Sequence, residues 1–231
     1  ERFDLSLSVL QNIGIDTSDI EMALRTTKDF YKENKDFILN LVKKLGKPIL
    51  IEMWDERIFY FILKFEFNFV DKSDKASALS TDQIDIENGE RYDINFTDKD
   101  GENKHPLILH CSPSGAIERV IYALLEKEAI KMDRGIKPML PLWLNPTQIR
   151  FIPIGDEFNS YCKEIIDELN SDSHYFIRSD IDDREESVGR KIRDAEKEWI
   201  PVIVVVGDNE KNSKKFKPKL KKKELGEDKE Y

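Results

Sequence analysis

Residues 107–119 bring several side chains that could do chemistry close together in the sequence. An apolar run leads to His110, whose imidazole could ligate a metal, and a Ser-Pro-Ser-Gly turn then leads to Glu118 and Arg119. Free backbone amides at a helix start, with an arginine in the first turns, suit a polyphosphate. The alternative interpretation is an ordinary strand, turn and helix whose arginine forms a surface ion pair with Glu118 or an aspartate.

The residues around and beyond Arg119 predict the helix that would carry it. Apolar side chains recur at the spacing of one helical face, and they are Ile117, Val120, Ile121, Leu124 and Leu125. We expect a helix over about residues 114–131, capped by Ser112 or Ser114. The apolar face should pack this helix against a neighbouring element.

Strands that could position these groups are predicted upstream of the helix. The opening, to about Leu45, reads as helical, and the predicted strands then are 49–53, about 58–70, 81–86 and 106–110. In the long strand, Phe and Leu at odd positions from 59 to 69 share one face, whereas Lys64 and Glu66 share the polar face. Strands without intervening helices indicate an antiparallel sheet, so the first part is expected to be α+β.

The order of predicted helices and strands differs in the second half of the chain. Three prolines and a tryptophan in residues 138–146 mark a domain boundary. Beyond it, strands predicted at 149–154, 174–178 and 202–206 alternate with helices predicted at 157–170 and 185–197. This alternation indicates a parallel α/β sheet with right-handed crossovers.

Charge and cysteine content limit the class of protein. The net charge is −9, but residues 211–231 carry nine lysines against four acids, which leaves −14 for the first 210 residues. An acidic body with a basic end is compatible with RNA binding through a local patch, although a solvated tail is the favoured interpretation of residues 221–231. The two cysteines, Cys111 and Cys162, fit a reducing compartment. With no run of eighteen apolar residues, we expect a soluble cytoplasmic protein without a membrane partner.

The string at 107–119 resembles motif 3 of the class II aminoacyl-tRNA synthetases, and in detail that of the archaeal-type threonyl-tRNA synthetases. Further matches are Lys64-Phe-Glu-Phe-Asn-Phe-Val70 and the segments 76–85, 141–146 and 180–194. The resemblance covers nearly the whole chain to about Glu210. It implies the C-terminal part of a catalytic domain at 1–137 with motif 3 at 107–125, a linker at 138–146, and an anticodon-binding domain with a basic end at 147–231.

The resemblance implies a role for each catalytic-domain residue. Arg119 would clamp the γ-phosphate of ATP, bound with Mg²⁺, and His110 would be one of three zinc ligands. Gln83 would contact threonine, and Lys64 would give electrostatic help to ATP or the adenylate. Cys111 points to the opposite strand face and is not counted as a ligand. The family often has a substrate-contacting tyrosine where this chain has Phe61, with Tyr60 one residue away on the other face, and this departure leaves the role unassigned.

The resemblance also implies which residues read the anticodon of tRNA-Thr. These are Arg184, Glu185, Arg193 and Glu210, because glutamate accepts from base amino groups and arginine donates to guanine edges. The alternative for each is a charged side chain that faces solvent. After Glu210 the chain departs from the family pattern, and Pro218 predicts an edge strand or a loose basic segment.

Several parts of the family's catalytic site have no counterpart in this sequence. These are motif 1, which builds a homodimer interface, motif 2, and a cysteine and a second histidine for zinc. We therefore expect a fragment or one piece of a split protein that alone neither aminoacylates tRNA nor holds zinc tightly. The predicted function is that of a threonine–tRNA ligase. The alternatives are a non-catalytic RNA-binding or regulatory protein, and a prolyl- or histidyl-type ligase, against which the string from His110 to Gly115 argues.

Overall fold

A computed structural model describes residues 1–171, 174 and 176–220. The chain divides into two compact units, the first being Glu1–Ile130 and the second beginning at Lys131. The helices of the first unit are α1 Arg2–Asn12, α2 Lys28–Glu33, α3 Lys35–Leu45, α4 Asn88–Arg91 and α5 Ile117–Asp133. Its strands are β1 Ile20–Thr27, β2 Leu50–Trp54, β3 Phe61–Val70, β4 Ala76–Asp85, β5 Phe96–Thr97, β6 Asn103–Lys104 and β7 Ile108–Ser112.

Five of these strands form one sheet in the order β2-β1-β3-β4-β7. The β1–β2 pair is parallel, and the other neighbours are antiparallel, so the predicted antiparallel pairing is confirmed for β3, β4 and β7 and is wrong for β2. The prediction of an all-helical opening is wrong at Ile20–Thr27. Residues at every second position of this segment, Ile20, Met22 and Leu24, are buried, and this is the period of a strand. The pattern is short and lies between two helical segments, so the sequence does not distinguish it from them.

One face of this sheet is an aromatic core, as the alternation predicted. The side chains at Phe61, Leu63, Phe65, Phe67 and Phe69 are all buried. Phe3 of α1 lies edge-on to Phe65 and to Phe67, with ring centroids 5.4 Å apart in each pair. The strand begins at Phe61 rather than at about 58, and Phe59, which was predicted on the same apolar face, lies outside the strand and is 47% exposed.

The helix that carries Arg119 differs from its prediction in two respects. It begins at Ile117, and the Ser114 hydroxyl donates to the Gly115 carbonyl at 3.3 Å instead of capping the helix. The predicted apolar face is largely exposed, to 74% at Ile117 and 52% at Ile121, whereas Ala123 and Leu124 are buried. The orientation is set by Lys127, which donates to the Gly14 carbonyl and to Asp19, both at 2.6 Å.

The second unit is an α/β sheet of four strands in the order β11-β10-β8-β9. The strands are β8 Ile149–Pro153, β9 Ser179–Ile181, β10 Val202–Val206 and β11 Lys219–Leu220, and the helices are α6 Asn159–Leu169, α7 Val188–Lys197 and α8 Asp208–Ser213. The β10–β8 and β8–β9 pairs are parallel, as predicted, and β11 is an antiparallel edge strand. The strand predicted at 174–178 is wrong, because the paired residues are Ser179–Ile181.

Apolar clusters lie on both faces of this second sheet. One cluster is Phe151, Phe158, Cys162, Val204 and Val206, and the other is Ile152, Ala195, Ile200 and Ile203. Among the described residues, no helix has the length and apolar content needed to cross a bilayer. The basic tail expected from Lys221 lies outside the described residues.

Candidate functional site

A single row of polar side chains crosses the sheet of the first unit. The register pairs Arg25 of β1 with Lys64 of β3, Lys64 with Gln83 of β4, and Gln83 with His110 of β7. Glu52 of β2 extends the row beyond Arg25. Directly opposed residues on neighbouring strands have Cβ atoms about 5 Å apart. The sheet therefore brings three predicted site residues, Lys64, Gln83 and His110, side by side.

His110 is held in place by a buried carboxylate. Its Nε2 lies 2.8 Å from Asp85 Oδ2, and the Asp85 side chain is fully buried whereas 43% of the histidine side chain is exposed. Asp85 also accepts from the backbone amides of Glu87 and Asn88, each at 2.9 Å. Burial raises the pKa of Asp85, but the Asn88 amide, His110 and the other donors outweigh it and hold the pKa well below its ordinary value.

This arrangement fixes the imidazole through one of its two nitrogens. A carboxylate on one ring nitrogen is the usual support for a histidine that ligates or donates through the other. The sequence alone assigns no role to Asp85. The pairing of Asp85 with His110 joins residues 25 positions apart, and only the strand register reveals it.

Tyr60 supplies a phenol to the same site. Its hydroxyl donates to Gln83 Oε1 at 2.5 Å, and its ring lies edge-on to His110 with centroids 5.7 Å apart. Phe61, at the position where the resemblance predicts a tyrosine, is buried in the aromatic core instead. Tyr60 is thus the aromatic residue that lies beside the predicted site.

Lys64 belongs to a network of charges on the same face. Its Nζ lies 2.9 Å from Glu66 Oε2, and Arg25 Nη1 lies 3.0 Å from that same oxygen. Burial raises the pKa of Glu66, but the hydrogen bond and charge of Lys64, together with Arg25, outweigh burial and lower this pKa below its ordinary value. Sequence reasoning misses Arg25, because it assigns the β1 segment to a helix.

The turn that precedes Arg119 packs closely against the backbone of β4. Gly115 has φ +76°, and a Cβ there would overlap the carbonyl oxygen of Leu79. Only glycine meets both requirements without strain. Arg119 lies in the first turn of α5, exposed, and its guanidinium forms no ion pair among the described residues. The alternative of a surface pair with Glu118 is therefore not formed in this part of the chain.

The same face does not form a complete metal site. Residues 1–171, 174 and 176–220 contain no cluster of three or more His, Cys, Asp or Glu side chains able to hold a metal ion. Cys111 lies on the opposite strand face, where burial and the neighbouring Asp82 raise the pKa of its thiol. Because protein zinc sites need at least three protein ligands, His110 would supply one ligand of the predicted site, and the described residues do not complete it.

Within the described part of the chain, the four residues predicted to read an anticodon form no hydrogen bond or ion pair with one another. Arg184 donates to Asp182 at 2.8 and 2.7 Å and to Asp194 at 3.2 Å, which joins the β9–α7 loop to α7. Glu210 accepts from the Gly207 amide at 2.9 Å and so caps α8. Glu185 and Arg193 are exposed, and no ion pair or hydrogen bond of their side chains occurs within the described ranges.

The fold of the chain is similar to that of solved domains of aminoacyl-tRNA synthetases. The family described as "Anticodon binding domain" matches residues 148–224. The RNA binding domain of threonyl-tRNA synthetase from Cryptosporidium parvum Iowa II superposes with a TM-score of 0.72 at 22% identity, over 96% of this chain and 54% of that one. Prolyl-tRNA synthetase from Giardia lamblia gives 0.55 at 18% identity, over 89% and 43%.

Sequence similarity identifies the relatives of this chain more narrowly than similarity of fold does. Threonine–tRNA ligase from Nitrosopumilus maritimus is 58% identical over 212 residues, which are 92% of this chain and 34% of that protein. The ligase from Pyrococcus horikoshii is 60% identical over 213 residues, with the same two shares. The chain is a homologue of archaeal threonine–tRNA ligases, which confirms the resemblance, and it spans about a third of the length of these relatives.

Proposed function

We propose that this chain provides one wall of the amino-acid and ATP site, together with the anticodon-binding domain, of a threonine–tRNA ligase. The observation that carries the proposal is the cross-strand row of Lys64, Gln83 and His110 in a homologue of these ligases. The substrates would be threonine, ATP with Mg²⁺ and tRNA-Thr. A homodimer of the whole enzyme and a cytoplasmic location belong to the same proposal.

The hydrogen-bonding side chains suit threonine. Tyr60, Gln83 and His110 form one contiguous polar group, and Asp85 keeps the imidazole oriented. A site built to pair with a substrate hydroxyl strongly rejects an analogue that lacks it, since buried polar groups would then lose their partners. The side chains of this row would therefore favour threonine over valine. Zinc at His110 remains a prediction that needs ligands beyond those described.

The cations suit ATP. Lys64 stands in the row beside Gln83, and Arg119 presents a guanidinium from the start of α5 that is unpaired among the described residues. Attack of the threonine carboxylate on the α-phosphorus of ATP forms threonyl-adenylate and releases pyrophosphate, and the negative charge on the phosphate oxygens is stabilised by fixed cationic donors. Lys64 and Arg119 would bind and orient the phosphates, and neither would act as a general acid or base.

The test uses a grafted ligase, in which this chain replaces the matching third of the Nitrosopumilus maritimus enzyme. We expect threonine-dependent ATP–pyrophosphate exchange from the grafted ligase and none from the 231-residue chain alone. Gln83→Ala should lower kcat/KM for threonine by about a hundredfold, because it removes a substrate hydrogen bond. Gln11→Ala, on the exposed side of α1, is the matched control. A folded grafted ligase without exchange would refute the assignment, and robust exchange by the isolated chain would refute the incomplete site.

A non-catalytic RNA-binding role is the second candidate, and the match of residues 148–224 to an anticodon-binding family favours it. Both candidates require tRNA binding by the second unit, but only the ligase requires the polar row. If the 231-residue chain binds tRNA while the folded grafted ligase gives no threonine-dependent exchange, the binding role is the better account.

A further inference from the structure

We propose that Arg25 is a positioning residue, which shares the Glu66 carboxylate with Lys64 and thereby leaves the Lys64 ammonium available to an anionic substrate. The inference rests on the proposed function, since the anion would be the phosphate chain of ATP. The sequence alone gives Arg25 no role, because its pattern assigns this segment to a helix.

The geometry is that of one acceptor between two cations. Arg25 Nη1 and Lys64 Nζ approach the same oxygen, Glu66 Oε2, at 3.0 and 2.9 Å. The Glu66 side chain is 10% exposed, whereas Arg25 and Lys64 are 32% and 22% exposed. A carboxylate this well shielded from water must be compensated by its neighbours, and here two neighbours divide the task.

Arg25 is itself held in place from the other side. Its Nε donates to Glu52 Oε2 at 2.9 Å, and the Trp54 indole donates to the second oxygen of Glu52 at 2.9 Å. The guanidinium thus bridges β2 and β3 through its planar fork of donors, a geometry that a lysine ammonium does not reproduce. Because Glu52 is half exposed, water screens its charge, and the Glu66 side of the bridge carries the larger electrostatic effect.

The charges predict the effect of removing Arg25. With both cations present, the shielded carboxylate faces two positive charges, so Lys64 retains attraction for a further anion. Without Arg25, Glu66 has Lys64 as its remaining partner at hydrogen-bond distance, and the ammonium would have to leave a poorly solvated carboxylate in order to meet a phosphate. The role of Arg25 is therefore exerted through Glu66 and not by contact with the substrate.

This dependence can be tested by a double-mutant cycle in the grafted ligase. We expect Arg25→Gln to lower kcat/KM for ATP in the exchange reaction by about tenfold, with the KM for threonine within about twofold of its value. In the Glu66→Gln background, the same substitution should cost less than about twofold, because the competing carboxylate is gone. Arg25→Lys keeps the charge but not the fork, and should lie between.

Two outcomes would overturn the proposal. One is an equal loss from Arg25→Gln in both backgrounds, as a purely structural role would give, and the other is no loss in either. If the unsubstituted grafted ligase is inactive, the proposed function fails, and Arg25 is then tested in the 231-residue chain by carboxyl-carbon NMR. Arg25→Gln should raise the pKa of Glu66, because Arg25 and Lys64 are the cations that face this carboxylate and Glu52 lies beyond Arg25. An unchanged pKa of Glu66 would contradict the proposed interaction between Arg25 and Glu66.

Discussion

In the first unit the proposed binding residues stand on one open face of a sheet, whereas in the second unit both sheet faces are used for packing. Lys64, Gln83 and His110 come from three neighbouring strands and form a row. The predicted anticodon residues lie instead on a loop and on two helices, and Arg184 and Glu210 already serve the fold. A polar sheet face can therefore collect functional groups, whereas a sheet covered on both sides leaves them to its loops and helices.

The largest expected effect is on exchange activity, and it compares Arg119, which forms no ion pair among the described residues, with Arg150, which forms two. Arg119→Ala should lower exchange by the grafted ligase by about a hundredfold to a thousandfold and change the free energy of unfolding by less than about 0.5 kcal/mol. Arg150 in the second unit is 13% exposed and donates to Asp180 and Glu198. Arg150→Ala should show the reverse, with about 1–2 kcal/mol less stability, since its partners are partly solvated, and an exchange rate within about twofold.

Exchange assays and urea denaturation of both variants measure this contrast. If Arg119→Ala destabilises the chain as much as Arg150→Ala does, the arginine at the start of α5 belongs to the fold rather than to the site.

A glycine pair tests how tightly the turn before α5 is fixed. Gly115→Ala should cost about 3 kcal/mol or more, because the added methyl group meets the Leu79 backbone and φ is positive. Gly135 in the second unit has φ +75° but nothing within 4 Å of its Cβ position, so Gly135→Ala should cost only about 1 kcal/mol. Urea denaturation compares them, and equal costs would show that the turn can move away from β4.

The acid response tests the support of His110. The pKa of Asp85 is lowered in the folded chain, so on acidification the unfolded chain takes up the proton first, near the ordinary value of about 3.9. The stabilisation is therefore complete above about pH 5 and is lost progressively below about pH 4. The stability difference between the protein and Asp85→Asn should shrink between about pH 6 and pH 3, as followed by denaturation.

Asp100→Asn, in an exposed loop of the same unit, is the control for this acid response. A pH-independent difference for Asp85→Asn would mean that the carboxylate is not the source of the stabilisation.

The smallest expected effect concerns tRNA binding by α7. Arg193 is unpaired among the described residues, whereas Arg190 pairs with Glu186 at 3.3 Å. Arg193→Ala should reduce the slope of log affinity against log salt by about one for the 231-residue chain, because with one cation fewer at the RNA about one counterion fewer is released. Arg190→Ala should change the slope less. An unchanged slope for Arg193→Ala would favour the solvent-facing alternative.

The parts of the site that could be predicted were local in sequence. The phenylalanine alternation determined which face of β3 is buried, and with it the exposure of Lys64 to the polar side. The parts that could not be predicted depend on pairing between distant segments. Asp85 meets His110, and Arg25 meets Glu66, only through register, and the rotation of α5 depends on Lys127 reaching Asp19.

The row of Lys64, Gln83 and His110 across the sheet limits where residues can be inserted into or deleted from the chain. One residue inserted within β4 before Gln83 would turn its amide to the aromatic side, and two would return it to the correct face in the wrong row. The turn between β3 and β4 is different, since the Asp71 amide donates to the Lys75 carbonyl and closes the hairpin below any added loop. Insertions and deletions among relatives should therefore collect in residues 72–74 and be absent from the strands on either side.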